Sequence, residues 1–228
     1  PSPAAASDGP TEPGVRSPRV LGLLLLVAVV ASGVAAVAAA LAQWHMKSLI
    51  RPLSQEATAR TAEGYQRAEM WLGNTGGVLR GCLALTVLLL VAWFFQMRAN
   101  ALVLDPSWPQ RQGMGWLLLS CLCAIGLFFV PKMIVNDVWA ASTPPPGQRR
   151  GNALLTVWWL AVLGTSFQLW NGFAVLADGD DAVWAVTDGV TDLLIGDAFA
   201  VAACALTFVV VRRLGALQDR HPAAPVAG

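Results

Sequence analysis

Residues 115–142, GWLLLSCLCAIGLFFVPKMIVNDVWAAS, decide how the chain is threaded through a membrane. The sixteen residues 115–130 carry no charge, and Pro131 and Lys132 then interrupt the apolar run. Sixteen helical residues extend only ~24 Å, which is short of the ~30 Å hydrocarbon core of a bilayer. We therefore predict that this third apolar segment is re-entrant or broken, with a short fifth span as the alternative.

Four further apolar blocks lie at 20–42, 78–97, 154–176 and 193–211. Hydrophobic residues make up 56% of the chain and charged residues only 13%, against roughly 25% charged residues in soluble domains. Each block reaches or approaches the ~20 residues that cross a bilayer as a helix. The predicted fold class is therefore all-α: a polytopic helical membrane protein with four transmembrane helices plus the third apolar segment at 115–142.

The flanks of the apolar region differ from it in composition. Residues 1–19 are rich in Pro and Ala and are predicted to be a disordered tail. Residues 20–220 form a single predicted helical membrane domain, and 221–228 a flexible C-terminal tail. The first block is longer than the 7–15 apolar residues of a signal peptide, so we expect an uncleaved helix.

Charge on either side of the last block indicates the orientation. Arg212, Arg213 and Arg220 follow this block, whereas the loop 177–192 contains aspartates and no Lys or Arg. Because Lys and Arg accumulate in cytoplasmic loops, we predict a multi-pass protein of the cell membrane with a cytoplasmic C-terminus. The long connection 44–77 ends in GNTGG at 73–77, which predicts a break before the second span.

One carboxylate lies within the last apolar block. Asp197 is about five residues, or ~7.5 Å, into the predicted helix, and an ionisable group inside a membrane is a functional hypothesis by default. It is a candidate ion or proton site, with Asn171 or Gln168 of the fourth block as partners. The alternative is that Asp197 lies at headgroup level and continues the row of Asp188 and Asp192.

Other chemistry finds little support in the sequence. Cys121 and Cys123 are two residues apart and point to opposite sides of a helix, and no zinc-type Cys pair is present. No nucleophile elbow, zinc-protease motif or phosphate loop occurs, so we expect no enzyme, no cofactor and no metal. A net charge of +1 gives no basic footprint for nucleic acid.

A pattern of short motifs resembles a known family. It comprises WFFQMRANA at 93–101, NDVWAAS at 136–142 and a C-terminal RLGALQ at 213–218. Together with the remaining signature positions, this spacing is similar to that of the actinobacterial membrane family called domain of unknown function 4328. The signature residues are Arg98, Asn100, Gly115, Trp116, Pro131, Asp137, Trp139, Ser142, Trp158 and Trp159.

The chain departs from the family pattern inside the third segment. Ala124 and Leu127 stand where the family commonly has Pro and Asn, which favours a continuous helix there. The resemblance implies a helical membrane architecture with structural roles for the signature residues. It implies no mechanism.

Two function classes are consistent with these features. The first is a non-enzymatic scaffold or sensor that acts through helix packing in the lipid bilayer, with itself or with another membrane subunit. Small residues at four-residue spacing in the first block, Ser32, Ala36 and Ala40, allow such close helix contacts. The alternative is a small transporter or channel that uses the intramembrane carboxylate of Asp197.

Overall fold

The computed structural model describes residues 19–55, 59–105, 115, 124–143, 152–177 and 183–220. This part of the chain is helical and contains no strand, which confirms the predicted all-α class. The predicted tails, apart from Arg19 at the end of the first, lie outside the described residues. The helices are α1 (Arg19–Gln55), α2 (Ala59–Leu104), α3 (Ala124–Ala141), α4 (Ala153–Ala177) and α5 (Val183–Asp219).

Three stretches are long and apolar enough to cross a membrane, namely Arg19–Ile50 in α1, Glu63–Leu104 in α2 and Thr187–Asp219 in α5. Helix α4 contributes the shorter apolar stretch Ala153–Gln168. These helices are compatible with a multi-pass membrane protein.

Helix α2 runs without interruption through the GNTGG sequence, so the predicted break at 73–77 is wrong. Each glycine in a helix interior costs about 1 kcal/mol relative to alanine, and packing of the whole helix against α1 offsets this cost. On the N-terminal side of these glycines, Ala68 of α2 still packs with Met46 of α1 in a buried cluster. The connection 44–77 is thus largely a helical hairpin formed by the ends of α1 and α2.

Helix α1 lies between α2 and α5 and packs extensively against both, while α4 packs along the other side of α5. Helix α3 makes smaller contacts with α2 and α4 and so completes a ring. A buried hydrogen bond joins Ser32 Oγ to Thr86 Oγ1 across α1 and α2 at 2.9 Å. Trp158 Nε1 of α4 donates to Thr207 Oγ1 of α5, also at 2.9 Å.

Helix α3 continues through Pro131, although the apolar run is interrupted there. Proline removes one backbone hydrogen bond and tends to kink a helix, but neighbouring helices make this tolerable in membrane proteins. Residues 116–123, on which the choice between a re-entrant segment and a short span depends, lie outside the described residues. Helix α4 begins after Asn152, whose Oδ1 accepts a hydrogen bond from the Leu154 N–H as an N-cap.

Candidate functional site

The Asp197 carboxylate is the most unusual group in the described helices. Asp197 is fully buried, with 0% of its surface exposed, although an aspartate is almost never fully buried without a partner. Neither Oδ1 nor Oδ2 accepts a hydrogen bond from the residues that the structure describes. Asp188, by contrast, is exposed on the same helix, and Asp192 is half-buried. Asp197 thus lies inside the helix bundle.

Asp197 faces a cavity of about 230 Å³ between α1, α2 and α5. Each of the three helices contributes residues spaced three or four apart, as expected for one face of a helix. The described residues that line the cavity are Ala39, Gln43, Glu69, Leu72, Gly73, Gly76, Leu79, Arg80, Leu193 and Asp197.

Gln43 of α1 is the second buried polar group in this cavity, with 3% of its surface exposed. Its Oε1 accepts no hydrogen bond within the described part of the chain. The Gln43 amide N–H is the described donor that interacts with the Asp197 carboxylate, but the pair falls outside standard hydrogen-bond geometry. Three acceptor oxygens therefore make no hydrogen bond of standard geometry with the described residues.

Two glycines of α2 line the cavity. Gly73 and Gly76 form part of its wall, and a Cβ atom built on either would meet no other atom within 4 Å. Glu69 and Arg80 flank them on the same face of α2 and are both exposed. These two residues are eleven positions apart in the chain, so they lie ~16 Å apart along the helix.

Buried apolar contacts lie on both sides of the cavity along the bundle. On one side, Met46 packs with Ala68 and Val190 in a buried cluster. On the other side, Ala36 and Leu79 pack with their neighbours in a second buried cluster. The cavity thus lies between two buried apolar layers and opens to the side of the bundle at exposed Glu69, Gly73 and Arg80.

The predicted partners of Asp197 lie elsewhere. Gln168 and Asn171 are half-buried on α4, and neither is among the described residues that line the cavity. The rotation of α5 turns Asp197 towards α1 and α2. The structure therefore brings Asp197 together with Gln43 instead of with Gln168 or Asn171.

A second polar cluster gathers part of the family signature. The Gln218 side chain of α5 donates from Nε2 to Ser142 Oγ and to the Met97 carbonyl oxygen, both at 2.9 Å. Asn100 Nδ2 of α2 donates to Gln218 Oε1 at 3.1 Å. All three side chains are buried. This amide cluster, formed by Asn100, Ser142 and Gln218, fastens the end of α3 to α2 and α5.

The other signature residues surround this region or the aromatic core. Trp158 and Trp159 are buried in the main core, with ring centroids 5.6 Å apart. Asp137 is buried, whereas Pro131, Trp139 and Arg98 are half-buried, and Arg98 Nη1 has no hydrogen-bond partner among the described residues. Gly115 is exposed. Trp116 lies outside the described residues.

Four residues that line the Asp197 cavity or form the amide cluster were not predicted from the sequence. They are Gln43, Gly73, Gly76 and Gln218. A glutamine at the end of an apolar block was the available signal for Gln43. Gln218 lay in the C-terminal motif without an assigned partner. The glycines were noticed, but as a helix break.

The family comparison covers most of the described helices. The family described as "Domain of unknown function (DUF4328)" matches residues 56–216, which include α2, α3, α4 and nearly all of α5. Asp197, Gly73 and Gly76 fall within this match, whereas Gln43 on α1 precedes it. Comparisons with curated proteins and with solved structures found no match. The chain belongs to the family of domain of unknown function 4328.

Proposed function

We propose that this chain is a multi-pass membrane protein that binds a small solute in the Asp197 cavity and carries it across the bilayer. The observation that carries the proposal is the fully buried Asp197 carboxylate, which faces a cavity and makes no hydrogen bond of standard geometry with the described residues. Burying a charge without a partner costs several kcal/mol. A group kept at such a cost inside an apolar helix is expected to serve function. No catalytic chemistry forms part of the proposal.

The proposal includes a topology. Helices α1, α2, α4 and α5 cross the membrane, the segment 115–142 is re-entrant, and the C-terminus is cytoplasmic; a short fifth span is the alternative. The 25 residues of α4 would extend ~37 Å as a helix, which is sufficient to cross. Arg212, Arg213 and Arg220 are exposed at the end of α5. This agrees with a cytoplasmic C-terminus, because the cytoplasmic segments of membrane proteins carry an excess of Lys and Arg.

A scaffold or sensor is the second candidate function. An apolar groove of about 420 Å³ lies between α1 and α5, and Gly33 and Cys204 are among the residues that line it. Such a groove would accept a helix from a second copy or from another membrane subunit. A scaffold has no need for a buried, unpaired carboxylate, however. The cavity therefore favours transport.

The test is flux through the full chain in proteoliposomes, with ²²Na⁺, ⁸⁶Rb⁺ and protons as probes. Asp197→Asn is compared with Asp188→Asn, which removes an exposed carboxylate from the same helix. We expect at least one probe to move through the wild type and Asp188→Asn at similar rates, and not through Asp197→Asn. Size-exclusion chromatography checks that each variant is folded. If Asp197→Asn changes only stability, the transport proposal fails and the scaffold remains.

A further inference from the structure

We infer that the cavity binds one monovalent metal cation, with the Asp197 carboxylate and the Gln43 carbonyl oxygen as its protein ligands. This inference rests on the proposed transport function and names the chemical class of the solute. It begins from the atoms that the described helices leave without partners, namely Asp197 Oδ1, Asp197 Oδ2 and Gln43 Oε1.

All three of these atoms are hydrogen-bond acceptors. Oxygen atoms of an ionised carboxylate and of an amide only accept hydrogen bonds, so these three oxygens do not satisfy one another. The Gln43 amide N–H is a donor, but it makes no hydrogen bond of standard geometry to Asp197. A neutral solute with as many acceptors as donors would leave part of the set unpaired. Hard oxygen ligands of this kind are those that alkali and alkaline-earth cations prefer. A bound cation would satisfy all three oxygens at once.

The charge on the cavity wall favours a single positive charge. Asp197 and Glu69 contribute one negative charge each and Arg80 one positive charge, so the lining carries a net charge of −1. A monovalent cation neutralises this charge, whereas a divalent cation would leave an excess positive charge in an apolar environment. Calcium sites also draw on several carboxylates. Among the described residues, no group of three or more acidic, His or Cys side chains is placed to hold a metal.

The size of the cavity suits a partly hydrated ion. Its volume of about 230 Å³ exceeds the roughly 10–15 Å³ that one water molecule requires. Backbone carbonyls of continuous helices are already bonded within the helix, so water would complete the coordination shell. Gly73 and Gly76 bring no side chain of their own into this space.

Equilibrium binding of ²²Na⁺ and ⁸⁶Rb⁺ to the purified full chain in nanodiscs tests the inference. We expect saturable binding of at least one of them, which Asp197→Asn abolishes. Gln43→Leu, which removes one ligand, should weaken the affinity about tenfold, equivalent to ~1.4 kcal/mol. The control is Gln168→Leu on α4, which should bind like the wild type. Gln43→Glu adds a second carboxylate and should allow Ca²⁺ to compete.

Separate results would overturn the inference and the proposed function. If neither isotope binds but protons still move in an Asp197-dependent way, the metal cation is wrong and transport stands. If Gln43→Leu lowers only the melting temperature and leaves the affinity unchanged, Gln43 is not a ligand. If Asp197→Asn alters neither binding nor flux, both proposals fail.

Discussion

Asn100 Nδ2 donates a hydrogen bond of 3.1 Å to Gln218 Oε1, joining two residues that are 118 positions apart in the chain. Gln218 Nε2 also donates to Ser142 and to the Met97 carbonyl oxygen. Three of the four hydrogen bonds available to a glutamine amide are thus made inside the protein. One side chain of α5 holds α2 and the end of α3 in place.

Removing the Gln218 amide should destabilise the bundle. Gln218→Leu leaves the buried Asn100 amide without its acceptor, which costs about 1–3 kcal/mol. For a protein of this size we expect the melting temperature to fall by ~2–4 °C per kcal/mol, as measured in detergent. Gln66→Leu, at an exposed position of α2, is the control. A double variant that also carries Asn100→Leu should recover part of the loss, and equal melting temperatures for Gln218→Leu and the control would contradict the prediction.

Gly164 determines how closely α4 approaches α5. A Cβ atom at this position would lie 2.7 Å from Phe199 Cδ1, well inside the ~3.5–4.0 Å optimum for carbon contacts. Gly164→Ala should therefore destabilise the protein by about 1–3 kcal/mol. The matched control is Gly33→Ala, whose new Cβ would meet Cys204 Cβ at an ordinary 3.6 Å.

A second substitution that removes the clash between the new Cβ atom at position 164 and the Phe199 ring tests the contact between α4 and α5 again. Because Phe199 is large and 39% exposed, adding Phe199→Leu should restore much of the stability that Gly164→Ala removes. The effects of contacting residues are not additive, and the double variant measures their coupling. If Gly164→Ala unfolds at the same temperature as Gly33→Ala, the Phe199 ring adjusts freely and the contact is unimportant.

The helices could be predicted because their long apolar runs must form internal backbone hydrogen bonds. The extent of α2 could not be predicted in this way. Single-residue propensities marked GNTGG as a break, but the gain from packing an entire helix against α1 exceeds the cost of three glycines. Helix α3 likewise accommodates Pro131 in its interior, since neighbouring helices make an internal proline tolerable.

The position of Asp197 within an apolar helix was also evident, but the helix it faces was not. A helix that is apolar on all sides gives no indication of which face turns inward. The predicted partners, Gln168 and Asn171, lie on α4, away from the cavity that Asp197 faces. The true surroundings depend on the rotation of α5 against α1 and α2, which is determined by packing between residues distant in sequence.

The proposed topology predicts which positions reach the outside of the cell. Single cysteines introduced as Arg60→Cys, Trp108→Cys and Pro146→Cys in a cysteine-free background should differ in labelling by an impermeant thiol reagent. With four spans and a re-entrant segment, only position 60 is labelled from outside. Labelling at 108 with protection at 60 and 146 would instead show five spans. A cysteine at Asp188 lies in the predicted external region under both topologies and controls for reagent access.

Filling the cavity without changing its charge should block transport. Gly76 lines the cavity and Gly77 does not, although a Cβ atom on either would meet nothing within 4 Å. Gly76→Leu should therefore project its side chain into the cavity and abolish the flux that depends on Asp197. Gly77→Leu, one position further along the same helix, should transport like the wild type.

Because leucine favours helix over glycine by up to about 1 kcal/mol, both variants should fold at least as well as the parent. If both transport normally, the solute does not pass through the space beside Asp197; if both fail, the glycines serve the helix hairpin itself.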